Sequence, residues 1–357
     1  MTPITCNEDL RRLARRRVPR ALFDYVDRGS YDEATLRANR TDLDALKLRQ
    51  RVMLDVSQRT LATTLVGEPV AMPVALAPTG LTGLVHADGE ILAARAAQQF
   101  GVPFTLSTVS ICSIEAVRAA VTQPFWFQLY VMRDRGFAAS LIERAKAAQC
   151  SALVLTADLQ IQGQRHRDIK NGLTVPPRLT LGNALDLASK PRWALGMLRT
   201  KHRNFGNLAE VIARDGSSMT TLAQWIAGQF DPALSWKDVA WVRSLWPGKL
   251  IIKGILDRED ARHAVDAGAD AIVVSNHGGR QLDGAPSSIA ALPGIVDSIG
   301  ARAEVLLDGG VRSGQDALKA MALGARGVLI GKAFMYGLGA LGQAGVTKAL
   351  ELIRNEL

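Results

Sequence analysis

Residues 271–283 read Ala-Ile-Val-Val-Ser-Asn-His-Gly-Gly-Arg-Gln-Leu-Asp. Ala271–Val274 is an apolar run of strand length, and Ser275-Asn276 ends it. His277 then leaves the strand end on a turn made by Gly278 and Gly279, with Arg280 directly after. An imidazole exchanges a proton near neutral pH, and a guanidinium can hold a carboxylate with two parallel hydrogen bonds. Such a pair suits a substrate that carries a carboxylate and gives up a proton. A polar loop with a capping histidine would leave the same trace, so the remaining chain has to decide.

The elements that would position these groups recur with a rhythm. Short apolar runs lie at Pro73–Ala77, Pro103–Leu106, Phe125–Phe127, Ala152–Leu155, Leu250–Ile252, Ala271–Val274, Val305–Leu307 and Gly327–Ile330. Helical patterns follow several of them, over Gly89–Phe100, Ile114–Ala120, Phe137–Ala148, Arg258–Ala267 and Gly314–Leu323. Strands buried on both faces and separated by helices imply parallel pairing with right-handed crossovers. Eight units across about residues 73–340 predict a (β/α)8 TIM barrel, with a helical extension over 1–35 and a long insertion at about 159–249 after strand 4. A doubly wound sheet is the rival, weakened because no strand is followed by G-x-G-x-x-G. No low-complexity linker interrupts the rhythm, so residues 1–357 are expected to form a single domain. Residues 36–70 look turn-rich, without evident chemistry.

In a barrel the C-terminal strand ends converge on one face. Here they carry Thr79, Ser107, Gln128, Tyr130, Thr156, Asp158, Lys253, Ser275, His277, Arg280, Asp308 and Gly331. Asp308-Gly309-Gly310-Val311-Arg312 and Gly331-Lys332 combine glycine turns with a cation, which suits a phosphate, though tight turns alone would read the same. Lys253, after Ile251-Ile252, needs an anionic partner; a Schiff base or charge balance for a cofactor would each use it. Tyr25, within Phe23–Val26, reads by itself as a core tyrosine.

The bulk numbers narrow the class. The chain has 357 residues, 48% of them hydrophobic, a net charge of +9 and a mean hydropathy of +0.07. No uncharged apolar run is long enough to span a bilayer, and Arg11, Arg12 and Arg15–Arg17 break any signal-peptide core. Cys6, Cys112 and Cys150 lack metal-ligand spacing, so free thiols in a reducing, cytoplasmic setting are expected, with no metal. The positive charge is spread out, without an aromatic platform, which argues against nucleic acid.

Taken together, Ser275–Asp283, Leu307–Arg312, Phe127–Tyr130, Ser235–Asp238 and Ile252–Gly254 make the chain resemble the FMN-dependent L-2-hydroxy acid dehydrogenases and oxidases, from about residue 5 to the end. The resemblance implies a barrel with FMN at its mouth and oxidation of an L-2-hydroxy acid, L-lactate foremost, with a quinone or cytochrome as acceptor. It implies His277 as base, Asp158 as its orienting carboxylate, Arg165 and Arg280 on the substrate carboxylate, and Tyr25 and Tyr130 beside the substrate. It implies Lys253 near the flavin, flavin contacts from Pro78, Thr79, Gly80, Ser107, Gln128, Thr156 and Ser275, and a ribityl-phosphate site at Asp308, Gly309, Gly310, Val311, Arg312, Gly331 and Lys332. A homotetramer is a further expectation of that likeness.

Lys332 stands where many such proteins carry arginine, which keeps the charge but loses a two-pronged fork. Gly80 and Val109 replace the alanine of oxidase-type members and the tryptophan of glycolate oxidases, so lactate, mandelate and bulkier acids stay open as substrates. The chain ends at Leu357, where such proteins usually continue a little further. Residues 190–203, Lys-Pro-Arg-Trp-Ala-Leu-Gly-Met-Leu-Arg-Thr-Lys-His-Arg, set cations around Trp, Leu and Met. That composition suits an anionic bilayer surface, with a mobile lid as the alternative. The protein would then sit peripherally at the inner face of the cell membrane. Other readings are a glycolate or 2-hydroxy acid oxidase using oxygen, a flavin barrel that isomerises or reduces its substrate, and a non-catalytic basic barrel that binds membrane or nucleic acid.

Overall fold

A computed structural model describes residues 3–173, 180–208, 225 and 228–357. The remaining parts of the expected insertion lie outside the described residues.

Eight parallel strands form the barrel: β1 (Val74–Leu76), β2 (Thr105–Ser107), β3 (Trp126–Leu129), β4 (Ala152–Thr156), β5 (Lys249–Ile255), β6 (Ala271–Val274), β7 (Glu304–Leu307) and β8 (Gly327–Ile330). Neighbours pair in sequence order, β8 returns to β1, and a parallel bridge from Leu76 to Phe104 joins β1 to β2. This is the (β/α)8 barrel that the rhythm predicts.

Strand parity decides where each side chain goes. Ala75, Trp126, Val154, Ile251, Val273, Leu306 and Leu329 meet inside the barrel, while their neighbours Leu76, Phe127, Leu155, Ile252, Val274, Leu307 and Ile330 face the helices. Both faces are therefore apolar, which is why the strands read as unbroken runs. Two residues beyond each inward position comes the rim: Gln128, Thr156, Lys253, Ser275, Asp308 and Gly331. A hairpin of Thr63–Leu65 with Glu68–Val70 packs Leu65 and Val70 into the interior cluster, and its Glu68 accepts a hydrogen bond from Trp126 at 2.9 Å.

The N-terminal extension is helical, as expected, with α1 (Asn7–Arg17) and α2 (Arg20–Asp27), and a third helix, α3 (Ala34–Ala45), follows it. Pro19 caps α2 and separates it from α1. Asp27, at the end of α2, takes two hydrogen bonds from Arg11 at 2.6 and 2.8 Å and one from the Tyr336 hydroxyl at 2.7 Å. Burial pushes its carboxyl up, but Arg11 and Tyr336 outweigh that and lower it to about 2. α2 is thereby fastened over the barrel mouth. The expectation of featureless turns over 36–70 is corrected by α3, which lies against the β6 and β7 exits.

The described part of the insertion contains helices His166–Lys170, Leu181–Ala188 and Pro191–Arg199. Among the described residues no helix is long and apolar enough to cross a membrane.

Candidate active site

The site begins with a glycine. Gly254, at the β5 exit, has φ +105°, and a Cβ there would lie 2.7 Å from the Asp158 side chain. Only glycine lets the β4 exit loop cross over β5. Asp158 thus reaches His277, whose Nδ1 lies 2.9 Å from Asp158 Oδ1. Burial pushes the Asp158 carboxyl up, but the His277 and Lys253 charges outweigh it and hold it below its ordinary value. Burial also lowers His277, Asp158 raises it, Lys253 lowers it again, and the net direction is down. The pair at neutral pH is therefore a carboxylate and a neutral imidazole. The carboxylate can only accept, so Nδ1 carries the proton and Nε2 keeps its lone pair.

His277 has φ +58°, a left-handed backbone that histidine tolerates better than most residues. Its N–H donates to Ser275 Oγ at 3.0 Å, and Lys253 Nζ donates to the same oxygen at 2.9 Å. Lys253 also pairs with Asp308 Oδ2 at 3.0 Å. Burial lowers this ammonium, but Asp308 and Asp158 outweigh it and the net shift is upward. A buried positive charge is thus fixed at the centre of the mouth.

Arg280 donates to the backbone oxygens of Tyr25 and Arg28, and its guanidinium carbon sits 4.6 Å from the Tyr25 ring centroid. Arg165 approaches the same ring at 5.8 Å, and its Nε is buried without a partner among the described residues. The tyrosine that looked like core is a platform between two guanidiniums. Tyr130 stands edge-on to Phe230 at 5.7 Å. Burial pushes its phenol well above the ordinary range, so it stays protonated.

These groups share a cavity of about 360 Å³. It is lined by Tyr25, Pro78, Thr79, Gly80, Tyr130, Arg165, Lys253, His277, Arg280, Asp308–Arg312, Gly331 and Lys332 among the residues singled out from sequence. Ser107, Gln128, Thr156, Ser275 and Asp158 lie behind that lining rather than in it. Ser107 Oγ donates to Gln128 Oε1 at 3.1 Å, while Ser275 and Asp158 act through Lys253 and His277.

Among the lining or supporting residues that escaped the sequence reading are Asn39, Arg40 and Asp168. Asn39 of α3 exchanges two 2.8 Å hydrogen bonds with Asn276, and Arg40 donates to Gly310 O at 2.6 Å and Asp316 at 2.7 Å. Gly310 is what lets α3 approach, since a Cβ there would lie 2.4 Å from Asn39 O. Asp168 is buried in the cavity wall, one turn after Arg165 on a short helix; that helical spacing was its only signal.

Residues 14–357 match the family described as FMN-dependent dehydrogenase. The chain belongs to the FMN-dependent dehydrogenase family. An L-lactate dehydrogenase of Caulobacter vibrioides is 51% identical over 356 residues, covering 99% of this chain and 92% of the relative. Among solved structures, a monotopic membrane protein, (S)-mandelate dehydrogenase, superposes with a TM-score of 0.94 at 37% identity, covering 99% of this chain and 94% of that one. A mandelate oxidase holding (S)-4-hydroxymandelic acid gives 0.85 at 40% identity, covering 99% and 93%.

The family's FMN is this protein's cofactor, and the cavity fits it on its own evidence. Gln128 Nε2 is a buried donor and Asp308 Oδ1 a buried acceptor, both without partners among the described residues. A Cβ on Gly331 would meet nothing closer than 3.8 Å, so the backbone there borders open space. Burial drives Lys332 well below its ordinary value; Arg280 and Arg312 push the same way, and Asp27 and Glu33 oppose them without cancelling the shift. An ammonium crowded by two guanidiniums calls for a multivalent anion, and a phosphate supplies one.

Proposed function

We propose that this FMN-dependent dehydrogenase oxidises L-2-hydroxy acids to 2-keto acids, L-lactate to pyruvate before others, and passes the electrons to a quinone or cytochrome. The observation that carries the reading is His277, backed by Asp158, facing the same cavity as two arginines. Full-length identity to an L-lactate dehydrogenase supports the choice of acid.

Such an oxidation removes a hydroxyl proton, the hydrogen on Cα and two electrons. FMN, when bound, supplies the acceptor for the electrons. Gln128, Lys253, Asp308, Arg312, Gly331 and Lys332 would hold it, with Pro78, Thr79, Gly80, Ser107, Thr156 and Ser275 around them. Arg165 and Arg280 clamp the substrate carboxylate and so fix which face of Cα turns inward. The Nε2 lone pair of His277 takes a proton, and Asp158 stabilises the imidazolium that results. Tyr130, protonated, donates a hydrogen bond to the substrate beside Tyr25. Lys253 offsets negative charge gathering at the mouth.

The pH profile tests the base. A neutral imidazole is required, so kcat/KM rises with pH and levels off at a pKa below the ordinary 6.5 of histidine. Asp158→Asn moves that limb lower still, because the charge that raises His277 is gone. It also lowers kcat by about ten- to a hundredfold, the worth of a hydrogen bond to a charged group. A profile unmoved by Asp158→Asn counts against the pairing.

The apolar wall of Leu84, Val109, Phe205 and Phe230 favours a second reading, an aromatic acid such as mandelate. A Cβ on Gly80 would lie 2.8 Å from Val109, so the small residue at 80 and the branched one at 109 share one space. Mixing the yellow holoenzyme without air with L-lactate, (S)-mandelate or glycolate distinguishes these. Bleaching is fastest with L-lactate; a colour that survives all three acids removes the reading altogether.

We further propose peripheral attachment at the cytoplasmic face of the cell membrane through 190–203. Helix Pro191–Arg199 buries none of its residues, and Leu195 and Leu198 are 47% and 70% exposed among Arg192, Arg199 and Lys201. Basic flanks around exposed leucines suit an anionic bilayer. Deleting 190–203 abolishes co-sedimentation with phosphatidylglycerol vesicles; retained binding refutes the assignment. A homotetramer is proposed on the exposed run of Leu48, Val52, Met53, Leu54 and Val56, which light scattering checks directly.

A further inference from the structure

A second cluster of reactive side chains lies outside the cavity and takes no part in the chemistry proposed above; one member, His202, lies in the basic segment 190–203. Asp88 stands at the start of helix Gly89–Phe100, Cys112 follows β2, and His202 ends the basic segment of the insertion. Their carboxylate oxygen, thiol and ring nitrogen all lie within 4.8 Å of one another. His202 Nδ1 is 2.7 Å from Asp88 Oδ1, and Thr200 Oγ1 donates to that same oxygen at 2.6 Å. Cys112 is fully buried, and its backbone N–H donates to the buried Glu90 carboxylate at 3.4 Å. Among the described residues no lysine or arginine pairs with Asp88 or Glu90. In a chain of net charge +9, this is a local pocket of negative charge with one sulfur, one nitrogen and one oxygen donor.

We propose that Asp88, Cys112 and His202 bind a divalent cation of the zinc class. Zinc accepts thiolate, imidazole and carboxylate in a tetrahedral set, and a water fills a fourth position. Binding replaces the Asp88–His202 hydrogen bond with two bonds to the metal, and the Cys112 thiol proton leaves to solvent. The sequence gives no spacing signal, because the three ligands come from three separate segments.

The site has a structural consequence. Trp193 Nε1 donates to Leu84 O at 2.8 Å, and Leu84 lines the cavity. His202 and Trp193 thus hold the insertion against the segment 84–88, which begins in the short helix Thr82–Val85 at one lip of the mouth. A metal at residue 202 would staple that lip, whether or not the substrate assignment is right.

The test is equilibrium dialysis of the FMN-loaded protein against Zn²⁺, followed by metal analysis. One ion per chain is expected, with tryptic cleavage between residues 190 and 208 slowed in its presence. Cys112→Ser and His202→Gln each weaken binding by at least about tenfold, and Cys6→Ser leaves it unchanged. If Cys112→Ser does not fold, Cd²⁺ added to the wild-type protein gives a thiolate-to-metal band in the ultraviolet that His202→Gln weakens. Absence of stoichiometric zinc, or binding untouched by His202→Gln, overturns the proposal.

Discussion

His277→Asn lowers kcat by about 10²- to 10⁴-fold and leaves FMN in place. Asparagine is the right probe because residue 277 has φ +58°, and asparagine enters the left-handed region more readily than most residues. The turn through Gly278 and Gly279 then survives, and what is lost is the imidazole. Its amide can still occupy space near Asp158, but it cannot take a proton at neutral pH. The magnitude is that of a positioned general base, so the loss falls on kcat rather than on substrate affinity, which Arg165 and Arg280 set. Stopped-flow reduction without air measures it. A variant that bleaches at the wild-type rate removes His277 from the proposed role.

Lys253→Met costs about 3–5 kcal/mol of stability, because it leaves Asp308 charged and buried without its partner. Lys253 and Asp308 are 3% and 6% exposed, so water cannot compensate either of them. Adding Asp308→Asn recovers part of the loss, and the double-mutant cycle isolates the pair. In the protein that still folds, the flavin midpoint potential falls, since the cation that favours the reduced, more negative cofactor is gone. Denaturant melts and spectroelectrochemistry read the two effects separately. An unchanged potential would place the Lys253 ammonium away from the cofactor, whatever the melt shows.

Strand parity explains how much could be read from the chain alone. Ile251, Val273 and Leu306 point into the barrel, so Lys253, Ser275 and Asp308, two residues on, were bound to reach one rim. The buried runs are apolar on both faces, which made their ends sharp. The contacts across the mouth were less legible. Arg280 lies on the platform of Tyr25 because α2 folds back over the barrel, and nothing local in Phe23–Val26 announces that. Asn39 and Arg40 look like surface residues of a polar helix until Gly310 admits α3 to within contact. Arg165 was reached only through family likeness, since its loop carries no strand signal. Long-range docking of the N-terminal helices, which local periodicity does not encode, is what hid the roles of Tyr25, Asn39 and Arg40.

An imidazole base and two guanidiniums address one substrate beside the flavin in the proposed reaction. A crystal structure of the FMN-loaded protein soaked with pyruvate tests it most directly. The expected result is the carboxylate between Arg165 and Arg280, with the keto oxygen about 2.6–3.2 Å from His277 Nε2. Pyruvate bound with its carboxylate away from both arginines, or with His277 turned from the keto group, would contradict it.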